Sequence, residues 1–243
     1  RAGHTRPGIQ ALIEIAGKNQ SRMVASDFGY ALGPRINAAG RLDDMSFGIN
    51  CLLAPDLMTA RAMAVELDGL NKARREIEQG MQQEAEKVLK QLNVTQDNLD
   101  NAIVLYQQDW HQGVIGIVAG RLKEKFHRPS IVFAGSNLES DNHTNDNSVI
   151  NNVEIKGSAR SIPGLHIRDL LEHIDSQHPD IIIKFGGHAM AAGLSISADN
   201  FKSFQALFVK YAGEWIAEED LQGKLLSDGQ LQVSDINLEF AEQ

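Results

Sequence analysis

The chain has 243 residues, 42% of them hydrophobic, and a formal net charge of −9, which is enough apolar material for one large or two small domains with a sizeable core. Its single cysteine, Cys51, excludes an internal disulfide framework and a cysteine-rich zinc site, a pattern typical of a reducing cytosol. No apolar run approaches the roughly 20 residues of a membrane-spanning helix, so we expect a cytoplasmic protein without a membrane partner.

The acidic charge is concentrated at the C-terminal end. From Glu214 onwards the sequence contains eight acidic residues and one base, Lys224, so the part before it is nearly neutral. Lys and Arg supply most of the free energy of phosphate binding. Because six bases outnumber four acids up to Asp44, a local basic groove is expected there. The chain opens at Arg1 without an initiator methionine, and we therefore expect a piece of a longer protein.

Short helices are predicted for the first 45 residues. Thr5 is a candidate N-cap, and Pro7 stands in the first turn of an amphipathic helix that ends before Gly17. A second helix is predicted from about Ser26, and Gly33-Pro34 is expected to stop it.

The following segment, residues 34–42, is predicted to be a loop with an unusual composition. It carries Arg35, Asn37 and Arg41 with small residues between them. This spacing would let the backbone approach a polyanion while guanidinium groups reach its oxygens. The structural alternative is that these arginines pair with Asp43, Asp44 or helix carbonyls.

A long helix is predicted in the next part of the chain. Ser46 is the expected cap of a short helix that breaks at Pro55, and Asp56 is the expected cap of the long one. From Met63 to Leu92 apolar residues recur at steps of three, four or seven. Some 35 residues would span about 50 Å. We expect a connector between two bodies, with a solvated charged surface and no site residue.

An α/β region follows the connector. Strands are predicted at 102–106, 130–133 and 153–162, and helices at 114–122, 165–174 and 201–217, the last capped by Asn200. The polar stretch from Gly135 to Asn152 is predicted to be a mobile surface loop that tolerates deletion. The predicted fold class is α/β, with a mixed β-sheet flanked by helices and preceded by a short helical segment and the long connector helix.

Two patterns in this region are suited to phosphate. In an extended chain Ser158 and Arg160 point to one face, so a hydroxyl and a guanidinium can converge on one phosphate. Between two apolar runs, Gly186, Gly187 and His188 predict a tight loop whose N–H groups and imidazole can face an anion. An arginine that only stabilises a strand edge and a plain hairpin corner with a structural histidine are the alternatives.

Four segments in a fixed order carry a family resemblance: 33–42, 110–119, 157–162 and 185–193. In this combination nearly the whole chain resembles the single-strand-specific 5′→3′ DNA exonucleases of the DHH phosphoesterase family. The resemblance implies the C-terminal end of a DHH catalytic domain at 1–45, a connector at 46–98, a DHH-associated subdomain at 99–218 and the start of a truncated OB-fold at 219–243. The sequence contains no Asp-His-His motif. Mn²⁺ or Mg²⁺ would therefore be bound by the missing domain, and none is expected here.

The resemblance also implies roles for individual residues. Ser158 and Arg160 match positions that grip a terminal 5′-phosphate, the 34–42 motif matches the lining of the DNA path, and the Gly-Gly-His motif matches a loop facing the scissile phosphate. His188 is the catalytic candidate, and His111 is a weaker one. The implied substrate-binding residues are Arg35, Asn37, Arg41, Ser158, Arg160, Ser161, Gly186, Gly187 and His188.

The implied function is the C-terminal part of a single-stranded-DNA exonuclease of DNA repair and recombination, inactive by itself. Single-stranded DNA is the expected partner, with a single-strand-binding protein and a helicase as further partners. One alternative is a DHH-family phosphodiesterase acting on nanoRNA or cyclic dinucleotides. The other is a non-catalytic nucleic-acid-binding module.

Overall fold

The computed structural model describes residues 5–91, 100–135, 153–223, 227, 229–233 and 236–241. The helices of its first half are α1 (Pro7–Ile15), α2 (Ala25–Asp27), α3 (Gly33–Leu42), α4 (Met45–Leu52) and α5 (Leu57–Gln91), with a π-helical segment, Phe28–Leu32, before α3. The second half contains β1 (Ile103–Gln107), α6 (Ile115–Phe126), β2 (Ser130–Gly135), β3 (Glu154–Arg160), α7 (Ile167–Gln177), β4 (Lys184–Gly187), β5 (Ala191–Ser197), α8 (Phe201–Trp215) and α9 (Leu238–Ala241).

The long helix α5 belongs to two hydrophobic cores. Its first half buries Ala60 and Leu67 against α1, α3 and α4, and together these elements form a helical body. Its second half buries Met81 and Ala85 against α6 and the sheet. The predicted long helix is confirmed from Leu57 to Gln91, and residues 92–98 of the predicted connector lie outside the described residues. The apolar stripe of α5 packs into both cores, and much of the charged surface is exposed as expected. Glu78 is an exception, since it is buried and pairs with Arg74 and Arg121.

Gly33-Pro34 does not stop a helix, contrary to the prediction. The chain passes from the π-helical segment directly into α3, and the Gly33 N–H donates to the carbonyl of Phe28. Pro34 stands in the first turn of α3, where its missing N–H is not needed and its fixed φ suits the helix. The predicted loop 34–42 is therefore a helix, and its polar residues are distributed around a helical surface.

Helix caps differ from the prediction at two positions. Arg6, not Thr5, is the N-cap of α1, and no side chain caps it. Asp44 caps α4, because its carboxylate accepts the Ser46 N–H at 2.8 Å. The predicted cap of α5 is confirmed by the bond from the Thr59 N–H to the Asp56 carboxylate at 2.9 Å.

A carboxylate of α5 is buried in an ion pair that holds α3. Asp68 Oδ1 lies 2.8 Å from Arg35 Nε, and its other oxygen lies 2.9 Å from Lys72 Nζ. Burial alone would raise the pKa of Asp68. The hydrogen bond from Lys72 and the positive charges of Arg35 and Lys72 outweigh burial and lower the pKa below its ordinary value.

We expect Asp68→Asn to lower the free energy of unfolding by about 3 kcal/mol at neutral pH, because it leaves Arg35 without its buried counter-charge. A carboxylate with a lowered pKa stabilises the fold above its unfolded pKa of about 4, and this contribution disappears as the pH falls through the folded value. Urea denaturation should therefore show the difference at neutral pH and its disappearance in acid. Lys72→Ala, at the exposed end of the network, should cost less than about 1 kcal/mol. Equal effects of both substitutions would contradict this account.

The sheet contains five strands in the order β1-β2-β3-β5-β4. β1 and β2 are parallel, and the other neighbouring pairs are antiparallel, which confirms the predicted mixed sheet. One face is covered by α7 and α8, where Phe133, Ile155 and Phe204 are buried. On the other face, α6 and the end of α5 cover Leu105 and Val132. Beyond β3 no described helix covers this second face, where Lys156, Gly186 and Gly193 are exposed and Ser195 is buried.

Two predictions concern segments that the structure describes only in part or not at all. The predicted mobile loop lies almost entirely in 136–152, outside the described residues. The described residues after Leu221 include the short helix α9 and no strand, so the start of an OB-fold stays a prediction. Across the described ranges no helix is long and apolar enough to cross a bilayer.

Candidate functional site

Three polar side chains project from the same face of β3. Lys156, Ser158 and Arg160 alternate along the strand with Ile155 and Ala159, which are buried in the core. The predicted common face of Ser158 and Arg160 is confirmed, because Arg160 Nη1 donates to Ser158 Oγ at 3.1 Å. The same guanidinium nitrogen donates to the carbonyl of Ala159 at 2.8 Å. Hydroxyl and guanidinium thus converge as the strand periodicity requires.

A pocket of about 360 Å³, here called the β3 pocket, lies between this strand face, the start of α6 and the end of α3. Ser158 and Arg160 line it from the strand, and Arg41 lines it from α3. Arg41 Nη1 donates to the carbonyl of Gly113 at 3.0 Å, which ties the end of α3 to the loop before α6. Two guanidinium groups and a hydroxyl therefore surround a cavity large enough for a phosphate.

The first turn of α6 leaves room for the arginine. A Cβ on Gly116 would lie 2.9 Å from Arg160 Nη2 and 2.9 Å from Ser158 Oγ. Both distances are shorter than a Cβ contact allows. Glycine at this position therefore permits the close approach of the guanidinium and the hydroxyl to the helix.

The β3 pocket concentrates positive charge. Burial of the guanidinium lowers the pKa of Arg160, and the positive charge of Arg41 lowers it further. The Arg160 guanidinium nevertheless keeps its charge at neutral pH, because an arginine side chain is not deprotonated in proteins. Two cations held close together repel each other, and an anion between them relieves the repulsion. The electrostatics therefore favour an anionic ligand such as a phosphate.

A second pocket of about 390 Å³, here called the glycine pocket, continues along the open sheet face. Gly186 of β4 is the register partner of Gly193 of β5, which in turn is paired with Ser158 of β3. Lys156 and Gly157 line both pockets, so the two are contiguous. Sequence reasoning missed Lys156, although the period of two that joined Ser158 to Arg160 also includes residue 156.

The Gly-Gly-His motif forms the end of a hairpin strand. Gly186 and Gly187 lie within β4, not in a loop, and β5 begins at Ala191, earlier than the predicted return to a strand at Leu194. The backbone N–H of His188 donates to the carbonyl of Ala191 at 2.8 Å and closes the turn. The His188 side chain is exposed at this turn and does not line either pocket.

Arg35 and Asn37 are not brought to either pocket. Arg35 forms the buried pair with Asp68 and donates from Nη1 to the carbonyl of Ala31 at 2.6 Å. The bond to Ala31 matches the alternative of a helix carbonyl, whereas the acidic partner is Asp68 and not Asp43 or Asp44. Asn37 is exposed on α3.

Ser161 and His111 also have structural partners. Ser161 is only 1% exposed, and its hydroxyl donates to the carbonyl of Leu165 at 2.7 Å, so the side chain is sealed in the turn after β3. The expected contact of Ser161 with substrate is therefore not available in this structure. His111 Nδ1 accepts the N–H of Gly113 at 3.0 Å and orders the loop before α6.

The described residues do not supply a metal site. Nowhere in the described parts of the chain do three or more His, Cys, Asp or Glu side chains come together in a way that could hold an ion. The open pockets are lined by cationic and small residues, a composition that suits oxyanions and repels metal cations.

Comparison with known proteins identifies relatives of the whole chain. Residues 99–214 match the DHHA1 domain family. The chain is 50% identical over 242 residues to the single-stranded-DNA-specific exonuclease RecJ of Haemophilus influenzae, covering 100% of this chain and 40% of that protein. The chain thus spans about 40% of the length of this relative.

Solved structures give the same relationship. RecJ of Thermus thermophilus in complex with Mg²⁺ is 28% identical, with a TM-score of 0.66 and coverage of 86% of this chain and 28% of that one. A crystal structure of exonuclease RecJ bound to manganese is 30% identical, with a TM-score of 0.65 and coverage of 86% and 46%. The fold described above is therefore shared with these structures.

Proposed function

This chain belongs to the RecJ family and contains its DHHA1 domain, and from this premise we propose that it is part of a single-stranded-DNA-specific 5′→3′ exonuclease. The proposal assigns residues 1–45 to the end of a DHH catalytic domain, 46–98 to the connector, 99–218 to the DHH-associated subdomain and 219–243 to the start of an OB-fold. In this assignment the present residues bind DNA and its 5′-phosphate.

The main support for the proposal is the arrangement of side chains around the β3 pocket. Arg41 and Arg160 supply two guanidinium groups, and Ser158 supplies a hydroxyl, around one cavity of about 360 Å³. A terminal phosphate can carry two negative charges, whereas an internal phosphodiester carries one. Two cations therefore bind a terminal phosphate more strongly than an internal one, and this difference gives a physical basis for attack from a strand end.

The remaining residues receive roles from their position. His188, exposed at the turn after Gly187, is proposed to face the scissile phosphate and to stabilise the charge that develops there. Ligands for a divalent metal, Mn²⁺ or Mg²⁺, are proposed to come from the rest of the protein. Among the described residues no suitable set of side chains is present, and solved relatives are described as bound to Mg²⁺ or manganese.

The biological setting is part of the same proposal. We infer a cytoplasmic enzyme of DNA repair and recombination, with single-stranded DNA as its partner and a single-strand-binding protein and a helicase as further partners. The alternative, a phosphodiesterase for nanoRNA or cyclic dinucleotides, would use the same β3 pocket. No feature of the described residues favours it over the exonuclease.

A nuclease assay with competitors tests the assignment. With Mn²⁺ present, we expect the full-length protein to degrade 5′-phosphorylated single-stranded DNA, and we expect long single strands to compete better than RNA of two to five nucleotides. A preference for the short RNA would overturn the exonuclease assignment. We expect residues 1–243 alone to show no turnover under the same conditions. Measurable turnover would contradict the proposal that the metal ligands lie elsewhere.

A further inference from the structure

Gly157 of the glycine pocket has a steric reason to be glycine, since a Cβ there would lie 2.5 Å from the Phe133 ring, but Gly186 and Gly193 have none. A Cβ built on Gly186 would meet nothing within 4 Å, and one on Gly193 would meet only the Gly157 carbonyl, at 3.9 Å. Both residues are exposed within paired strands, where glycine costs stability relative to alanine. Glycine in a strand interior often marks a place where a ligand approaches the backbone closely. The bare strand surface here is therefore available to a ligand.

Lys156 stands at the boundary of the two pockets, and its exposed side chain lines both. Among the described residues no carboxylate forms an ion pair with it. Glu154, whose charge interacts with that of Lys156, lies 3.3 Å from Lys184 Nζ instead. An ammonium without such a direct pair can form a charged contact with an incoming anion at little cost.

The spacing along β3 separates Lys156 from the terminal-phosphate group by one step of the strand face. Two residues of a β-strand cover about 7 Å, so Lys156 and Ser158 are separated by roughly the distance between neighbouring phosphates of an extended single strand. The positive charges along β3 also match the negative charges of the two phosphates in the same order. The β3 pocket offers two guanidinium groups for a terminal phosphate, and Lys156 offers one positive charge for a phosphodiester.

We propose that Lys156 and the strand surface at Gly186 and Gly193 form a subsite for the second phosphate of the bound strand. This subsite lies next to the β3 pocket. The ligand is the phosphodiester that links the first two nucleotides, with its sugar passing over the two glycines. The inference rests on the proposed function, because it takes the β3 pocket as the site of the terminal phosphate. It assigns to Lys156 the alignment of the strand, so that the bond to be cut lies beside the hairpin turn.

The test uses ligands of two lengths with the full-length protein and its divalent metal replaced by Ca²⁺ to prevent turnover. The probes are a 5′-phosphorylated mononucleotide, which carries only a terminal phosphate, and a 5′-phosphorylated dinucleotide, which adds one phosphodiester. We expect Lys156→Ala to weaken dinucleotide binding about tenfold, as for the loss of one charged contact. Mononucleotide binding should weaken clearly less, because Lys156 only borders the β3 pocket. For the dinucleotide, the slope of log K of binding against log salt concentration should become shallower by about 0.7.

Matched variants separate the subsite from general charge. Lys202→Ala removes the same charge from exposed α8, on the opposite face of the sheet, and should leave both ligands unaffected. Lys156→Arg should retain dinucleotide binding. Gly186→Val, which places a side chain on the bare surface, should weaken dinucleotide binding without affecting the mononucleotide.

Two failures can be told apart. If Lys156→Ala weakens the binding of both ligands equally, or of neither, the subsite is wrong while the terminal-phosphate pocket stands. If the wild-type protein binds the phosphorylated mononucleotide no better than the nucleoside, the pocket itself, and with it the proposed function, is wrong.

Discussion

Arg160→Ala in the full-length protein is expected to abolish most of the preference for 5′-phosphorylated over 5′-hydroxyl strands. Arg160 is half-buried in the β3 pocket and is fixed by its bonds to Ser158 Oγ and the Ala159 carbonyl. A charge-assisted hydrogen bond contributes about 1.5–3 kcal/mol, which corresponds to a loss of roughly 10- to 100-fold in the ratio of kcat/KM for the two ends. Measuring both ends on the same variant cancels any change in stability.

The controls for Arg160 isolate charge, geometry and position. Arg160→Lys keeps the charge but loses the planar fork, so we expect an intermediate ratio. Ser158→Ala removes one neutral donor and should cost less than the arginine. Arg168→Ala removes an exposed arginine of α7, on the opposite face of the sheet, and should have no effect. An unchanged end preference in Arg160→Ala would remove this residue from phosphate binding.

Gly187→Ala should destabilise the β4–β5 hairpin by about 3 kcal/mol, whereas Gly186→Ala should stabilise it by up to about 1 kcal/mol. Gly187 has a φ of +150°, and a Cβ there would lie 2.5 Å from the Ala191 carbonyl oxygen and 2.5 Å from Ala192 Cα. Both atoms belong to the backbone of the paired strand, so neither can move away as a side chain could. Gly186 has open space in place of these neighbours.

Native-state hydrogen exchange measures this difference locally. In Gly187→Ala, the amides of β5 that bond to β4 should exchange about 100-fold faster than in the unsubstituted protein, the equivalent of about 3 kcal/mol. In Gly186→Ala they should exchange no faster than in the unsubstituted protein. Equal protection in the two variants would show that the hairpin tolerates a side chain at residue 187.

The strand residues of the site could be predicted from sequence because the period of a strand is local. Ser158 and Arg160 are two residues apart, and any extended conformation puts them on one face. The same rule reaches Lys156, but an isolated lysine has no distinctive sequence signal. Ser161 belongs to the segment 157–162 that carries the resemblance, but the strand period does not place it on the face of Ser158 and Arg160. The chain turns after β3, and the Ser161 hydroxyl is buried in a bond to the Leu165 carbonyl four residues later.

The sequence alone does not distinguish the roles of Arg35 and Arg41, because it predicts a loop at residues 34–42 where the structure has the helix α3. On a helix, Arg35 and Arg41 are six residues apart and so differ by about 240° around the axis, since each residue turns by about 100°. They therefore cannot both face one pocket, and the structure turns Arg35 to Asp68 and Arg41 to Gly113. A Gly-Pro pair is compatible with both a helix end and a helix start. The preceding π-helical segment, which decides between them, has no simple sequence signature.

The two ends of α5 have a consequence for how the β3 pocket responds to motion. Arg41 belongs to the helical body, Ser158 and Arg160 belong to the sheet, and α5 is packed into both. A small displacement of one body against the other would separate the guanidinium groups. It would also strain the bond from Arg41 to the Gly113 carbonyl and the packing of Leu42 against the second core. The affinity for a terminal phosphate should therefore depend on how the two bodies are aligned. A rigid crosslink between them should first change the preference for 5′-phosphorylated over 5′-hydroxyl strands.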